Sequence, residues 1–438
     1  METIVILIFV FMLMGCILAG LPVVFALIAG FVLFFCYGVA TGHGAGTMLK
    51  KAAGGIYTIR TILEIFLMIG MLTALWREAG TIPSITYYAS GLIRPGIMVL
   101  MCFLLNCMIS FLTGSSFAST ATMGVITMTM ANMAGVPVYL SGGAILAGVY
   151  FGDRCAPVST SALLIATLTK TDIFDNIKGC MKTAAVPFVI SCVVYGILGA
   201  VTGAGTTADL SVRELFAEEF RIGILPLLPA VLILVLAMLK VRVIRAMLAS
   251  IAAAFLIAVF YQHAPVGRVL ADMILGYHAK LPELSAMISG GGIRSMLSPA
   301  AIVSISSCYA GMFEETGLLN GLKKKIRAFA DRTVPFAGIL VTAIVTCAIS
   351  CNQTLSVMLT DQLCAELEPD HQRFAVQLEN SVAVIAALLP WNIACAVPLA
   401  ALGAPAVSIL FACYLWLLPV FELIRSARRK KAKESYNF

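Results

Sequence analysis

Apolar residues in this 438-residue chain come in long blocks separated by short polar interruptions. A helix needs about 20 mostly apolar residues to cross a ~30 Å hydrocarbon layer. Ten blocks fit that length: about 3–20, 22–39, 57–76, 139–169, 184–201, 223–239, 246–262, 297–313, 377–403 and 405–423. They predict an all-α, polytopic membrane protein. Two further apolar stretches, about 96–133 and 334–366, are too long for one crossing and too polar in the middle for two. Each is read as a re-entrant hairpin that enters and leaves on one side. Such irregular backbone is tolerated only where protein or water covers it. Composition agrees: 61% of residues are hydrophobic and 12% charged, against about 25% charged in a soluble domain. The first stretch, Ile4 to Gly20, lacks a basic n-region and a small-residue cleavage site, and reads as a retained span.

The net charge of +7 acquires meaning once it is placed. Cytoplasmic loops are enriched in Lys and Arg. With the N-terminus inside, 21 basic residues fall on the cytoplasmic side and seven outside, with Arg154 alone at membrane depth. Both termini are therefore expected in the cytoplasm of the cell membrane. The basic tail from Arg425 to Lys433 reads as an orientation signal touching anionic lipid rather than as a nucleic-acid site. The thirteen cysteines form no CxxC pair and have no companion His cluster, so they support neither a disulfide framework nor a zinc site.

The chain also resembles itself. Gly54-Gly55-Ile56 aligns with Gly291-Gly292-Ile293, Trp76-Arg77-Glu78-Ala79-Gly80 with Phe313-Glu314-Glu315-Thr316-Gly317, and Cys107-Met108-Ile109-Ser110 with Cys347-Ala348-Ile349-Ser350. Five crossings per half, an odd number, put the second half upside down. This predicts a first inverted repeat over 1–201, an acidic external linker over 202–222, a second repeat over 223–424 and a basic tail over 425–438. Inverted repeats place a substrate site near the midplane, where the halves meet.

Polar residues at membrane depth are costly and call for a reason. The densest run, Tyr150-Phe151-Gly152-Asp153-Arg154-Cys155-Ala156-Pro157-Val158-Ser159-Thr160-Ser161, interrupts an apolar helix. Gly152 and Pro157 break it, which frees carbonyls on one side and N–H groups on the other. Asp153 offers the charge a cation or proton would use, and Ser159 and Thr160 add hydroxyl oxygens. The matching break, Leu388-Leu389-Pro390-Trp391-Asn392-Ile393, offers the Asn392 amide. The hairpin tips carry Thr113-Gly114-Ser115-Ser116 and Asn352-Gln353-Thr354. All four polar breaks are expected to converge inside the membrane. Na⁺, if bound, would use Asp153, Asn352 and Asn392. Glu64 and Asp361 are candidates for a proton relay. Arg154 must have a partner, and either Asp153 or a substrate carboxylate would serve.

Tyr150-Phe151-Gly152-Asp153 with Pro157 and Ser159, together with Leu389-Pro390-Trp391-Asn392, resembles the NhaC-type Na⁺/H⁺ antiporter family. Ala79-Gly80-Thr81-Ile82-Pro83 and Thr316-Gly317-Leu318-Leu319 add to the likeness. The resemblance implies a secondary transporter, not an enzyme, that works by alternating access. Na⁺ or H⁺ would be its coupling ions, with no other cofactor. Family members commonly read Ser-Pro-x-Ser-Asp-Thr after the Gly-Asp pair. Here Ala156-Pro157-Val158-Ser159-Thr160-Ser161 puts Thr160 where a second carboxylate is expected. Two functions stay open: Na⁺/H⁺ exchange, including Na⁺- or H⁺-coupled solute exchange, or coupled transport of an organic anion or amino acid. A channel would need a continuous polar lining, and an enzyme a His, Cys or acid constellation. Partners are a small ion or solute and the lipid bilayer, with a homodimer left open.

Overall fold

A computed structural model describes residues 23–89, 95–203 and 216–436 except 158, 240, 242, 282–283, 285–287, 317–327, 331 and 351, plus scattered positions between 4 and 16. Most of the expected first crossing, most of the linker and Gly317-Leu318-Leu319 lie outside the described residues. Among the described residues the chain is helical, with no strand and one isolated bridge between Tyr277 and Gly290.

The first half runs through α1 (Val23–Ala40), α2 (Ala45–Thr58), α3 (Arg60–Glu78), α4 (Thr81–Ala89) and α5 (Pro95–Thr113). It continues with α6 (Ser116–Ser119), a π-helical turn at Thr120–Gly124, α7 (Val125–Met133), α8 (Val138–Cys155), α9 (Thr160–Thr169) and α10 (Ile173–Gly203). The second half contains α11 (Leu228–Met238), α12 (Val243–Leu256), α13 (Val266–Leu275), α14 (Gly292–Ser295) and α15 (Leu297–Thr316). There follow α16 (Pro335–Ser350), α17 (Gln353–Cys364), α18 (His371–Glu379), α19 (Val382–Ile385), α20 (Ile393–Leu402) and α21 (Cys413–Tyr436).

Pro95–Thr113, Ile173–Gly203 and the run Ile244–Tyr261 are each long and apolar enough to cross a membrane, and the pair His371–Leu388 and Ile393–Leu402, bent by 51°, makes a fourth such unit. Their composition fits a multi-pass membrane protein. On α10 the apolar side chains Val189, Val193, Ile197 and Val201 are exposed, Val201 by 70%, which suits contact with lipid rather than water. The opposite face buries Ser191 and Tyr195. Ser191 donates back to the Pro187 carbonyl at 2.7 Å, four residues earlier in the same helix.

Three elements depart from the expected spans. The last crossing was expected from about 405, but Ala406–Phe411 is a 3₁₀ turn and α21 starts only at Cys413. Pro405 cannot donate a helical hydrogen bond, and Gly403 has just ended α20 in the left-handed region (φ 63°). Helices α2 and α13 were not anticipated, because both are mixed apolar and polar and short of a crossing.

The core that positions the site is built where α5, α8 and α10 pack together with α21. Phe103, Tyr150, Tyr195 and Tyr414 are all buried there. Phe103 lies 5.1 Å from Tyr195 and 6.2 Å from Tyr414 between ring centres, within the range where aromatic pairs attract.

Candidate functional site

Both helix breaks arise from local chemistry. At Ala156 the chain leaves α8 for extended backbone (φ −89°, ψ 135°), as the steric demand of a following proline favours. Leu389 does the same (φ −104°, ψ 114°) ahead of Pro390. Each helix then restarts from a polar cap. The Ser159 hydroxyl accepts from Ala162 N–H at 3.3 Å, and Asn392 Oδ1 accepts from Ala394 N–H at 3.0 Å. The tips follow the same logic. Gly114 takes φ +63°, a left-handed turn open to glycine, and Ser115 then caps α6 through Ala118 N–H at 3.3 Å. Asn352 Oδ1 accepts from Thr354 N–H at 2.9 Å to start α17.

Tips and breaks are bonded to one another. The Ser110 hydroxyl donates to the Val149 carbonyl, and a Cβ on Gly152 would sit 2.1 Å from Phe111 N. Only glycine permits that approach of α8 to α5. Asn392 Nδ2 donates to the Cys347 carbonyl at 3.0 Å, Trp391 Nε1 to the Ala348 carbonyl at 3.0 Å, and Gln353 Nε2 to the Ala383 carbonyl at 2.9 Å. Tyr150 spans the two halves by donating to the Ala394 carbonyl at 2.6 Å.

Tips and breaks together line a chamber of about 310 Å³. Its lining comes from the first tip (Ser115, Ser116, Phe117), the first break (Asp153, Thr160, Ser161, Leu164), the second tip (Asn352, Gln353, Thr354, Val357) and the second break (Ile393, Ala394). Among the described residues, Asp153 is the one carboxylate in this lining. It is 5% exposed, and its Oδ1 accepts from the Ser159 hydroxyl at 3.0 Å. Ser159 is also 2.8 Å from the Ser161 hydroxyl. Everything else polar in the chamber is a hydroxyl or an amide. Among the described residues no three His, Cys, Asp or Glu side chains gather as a metal site.

A larger cavity of about 940 Å³ shares Ser115 and Thr160 with the chamber and is bounded by Thr113, Glu64, Pro157 and Arg245, among others. Two sequence candidates therefore border this larger cavity: Glu64, which is exposed, and Thr113, which is 2.9 Å from the Ser119 hydroxyl. Asp361, two turns beyond the second tip on α17, lines neither cavity. Asn392 is adjacent to the lining, with its donor and its acceptor both used by protein.

Arg154 lies outside the chamber. Successive helical residues point about 100° apart, so Asp153 turns toward the tips and Arg154 toward α10 and α21. Its guanidinium donates to Tyr414 Oη at 2.9 Å, Thr183 Oγ1 at 2.7 Å, the Cys180 carbonyl at 3.2 Å and Asn380 Oδ1. Among the described residues no ion pair joins it to Asp153. Asn380 passes the chain on, donating to Glu422 at 3.2 Å. Beside it Glu379 is 1% exposed, with Oε2 lacking a hydrogen-bond partner. The crossing expected from about 377 would put Glu379 and Asn380 in its first turn. The missed signal is that α18 begins earlier, at His371, which carries Glu379 two turns into the protein.

Residues 148–424 match the family model described as the Na⁺/H⁺ antiporter family. The chain is 26% identical over 391 residues to a malate-2H⁺/Na⁺-lactate antiporter of Bacillus subtilis, covering 85% of this chain and 82% of that one. It is 27% identical over 374 residues to the Na⁺/H⁺ antiporter NhaC of the same organism, covering 82% of each. It is 26% identical over 433 residues to the arginine/ornithine antiporter ArcD of Halobacterium salinarum, covering 94% of this chain and 88% of that one.

Proposed function

The chain belongs to the Na⁺/H⁺ antiporter family and is an ion-coupled antiporter, and from that premise we propose that Asp153 is the group that exchanges Na⁺ for H⁺. The carrying observation is a single buried carboxylate in a chamber otherwise lined by neutral oxygens. Na⁺ prefers a small shell of oxygen ligands, which Ser115, Thr160, Asn352, Gln353 and Thr354 can complete around Asp153. A proton taken up by the same carboxylate excludes the cation, so one side chain couples the two fluxes. Ser159 orients the carboxylate through its hydroxyl, and Asn392 holds the second break against the second hairpin. The larger cavity is the access path, with Glu64 drawing cations toward Ser115 and Thr160. The excess of Lys and Arg on one set of loops supports an orientation with that path, and both termini, on the cytoplasmic side. Alternating access would follow from rocking of the two inverted repeats, 1–201 and 223–424, with hairpins at 96–133 and 334–366 closing the chamber in turn.

A second reading, exchange coupled to a small organic solute, is favoured by size. The chamber's 310 Å³ is about ten times the liquid volume of a water molecule, more than one partly dehydrated Na⁺ occupies. The N-termini of α9, α17 and α20, helices of 10, 12 and 10 residues, begin at its wall, and their positive ends suit a carboxylate. Two of the relatives carry names of organic-solute antiporters.

Purified protein in liposomes with imposed Na⁺ and pH gradients tests the first reading. Wild type is expected to move protons on addition of Na⁺, and Asp153→Asn to insert and fold but to lose exchange. Asp153→Asn exchanging at the wild-type rate with unchanged pH dependence would exclude Asp153 as the carrier. Uptake of labelled malate, lactate or amino acids driven by the same gradients decides the second reading.

A further inference from the structure

Helix α21 runs past its apolar part into Arg425, Arg428, Arg429 and Lys430. Residues 421, 424, 425, 428 and 429 follow the i, i+3, i+4, i+7, i+8 spacing of one helical face. On that face the structure has a hollow of about 290 Å³ bounded by Phe421, Ile424, Arg425, Arg428 and Arg429. Two chemistries are stacked there in order. Ile424, 47% exposed, and Phe421 form the wall nearer the apolar part of α21, and three guanidinium groups form the wall beyond it.

The positive charge is in surplus. Glu422 is 3.6 Å from Arg425 but also accepts from Asn380. Arg373 is taken by Glu368 at 3.5 Å and Asp370 at 3.9 Å. Among the described residues no ion pair reaches Arg428 or Arg429. Burial, followed by the neighbouring charges of Arg425 and Arg373, pulls Arg429 below the usual arginine value, as expected where cations crowd. The tail is nonetheless held in place, because Lys430 Nζ donates to the Thr333 carbonyl at 2.6 Å.

We propose that this hollow is a binding site for the phosphate headgroup of an anionic phospholipid, whose acyl chains lie along Phe421 and Ile424. The planar forks of Arg428 and Arg429 match phosphate oxygens in pairs. The apolar wall is what distinguishes a lipid from free phosphate, which would gain nothing from Phe421 or Ile424. The site has a route to the transport machinery: Arg425, Glu422, Asn380 and Arg154 are linked in sequence, and Arg154 adjoins Asp153.

The full chain in nanodiscs of phosphatidylcholine doped with phosphatidylglycerol, read by native mass spectrometry, tests this. Wild type is expected to retain phosphatidylglycerol in preference to phosphatidylcholine. The double variant Arg428→Gln/Arg429→Gln removes two exposed charges and should weaken that preference about tenfold or more. Phe421→Ala, which leaves every charge in place, should weaken it as well. Equal retention by wild type and the double variant would overturn the assignment. So would displacement of the lipid by millimolar inorganic phosphate together with an unaltered preference in Phe421→Ala, which would mark a free-anion site.

Discussion

Asn392 separates a ligand from a structural clamp, and the structure assigns its amide to the clamp. Its Oδ1 accepts from Ala394 N–H at 3.0 Å and its Nδ2 donates to the Cys347 carbonyl at 3.0 Å, with the residue fully buried. Asn392→Ala removes both bonds. Loss of the cap costs about 1 kcal/mol, and loss of the hydrogen bond to the Cys347 carbonyl costs about 0.5–1.5 kcal/mol, so a total of about 1.5–2.5 kcal/mol is expected. Asn392→Ser keeps a capping oxygen but is too short to reach Cys347, so it should lose only that second hydrogen bond, about 0.5–1.5 kcal/mol. Thermal unfolding in detergent, followed by exposure of the buried cysteines to a thiol dye, reads both. The expected order of stability is wild type, then Ser, then Ala. Wild-type stability for Asn392→Ala, combined with loss of Na⁺ binding, would refute the clamp and make the amide a cation ligand.

Two further substitutions probe the surroundings. Gly152→Ala places a Cβ 2.1 Å from Phe111 N; overpacking against backbone that cannot rotate away costs at least about 1–3 kcal/mol. Parting α8 from α5 should cut exchange by more than tenfold, whereas full activity in liposomes would show that the close approach is dispensable. Glu379→Gln keeps the volume and removes a buried carboxylate on which the charges of Arg154 and Asp153 both act. It is expected to alter the pH profile of exchange while leaving Na⁺ affinity within about threefold, and an unchanged profile would confine Glu379 to packing.

Much of the site's material was legible because membrane burial makes each polar residue conspicuous. Asp153, Ser159 and Asn392 stood out against apolar neighbours, and Pro157 and Pro390 marked the helix breaks that the backbone makes at Ala156 and Leu389. What could not be read was direction. Sequence places Asp153 and Arg154 side by side, and a buried cation beside a buried anion invites pairing. A helix instead splays adjacent side chains, and the acceptors for Arg154 come from residues 180, 183, 380 and 414. Those partners are 26 to 260 positions away and are neutral oxygens, so no charge pattern announces them.

That division of labour bears on coupling. If Arg154 were paired with Asp153, the carboxylate would be held as an ion by a permanent cation and would have little reason to release Na⁺ for a proton. With Arg154 bonded to Tyr414, Thr183, Asn380 and a carbonyl, Asp153 is left with serine hydroxyls, Ser159 at 3.0 Å with Ser161 and Ser116 close by, neutral partners that serve a charged or a protonated carboxyl equally. The guanidinium then fixes the end of α8 to α10, α18 and α21, so the helix that carries Asp153 is anchored from behind while its front remains open to the chamber. The Thr160 that stands in place of the family's second acid leaves the chamber with one charge to neutralise, which one Na⁺ or one proton satisfies. A carrier of this kind should bind either cation and not both. Titration calorimetry can check this directly: the apparent Na⁺ affinity of wild type should fall tenfold for each tenfold rise in proton concentration once Asp153 is mostly protonated. Na⁺ affinity that is flat across the whole pH range of exchange would mean that Na⁺ and H⁺ use separate groups, and would move the proton from Asp153 to Glu379.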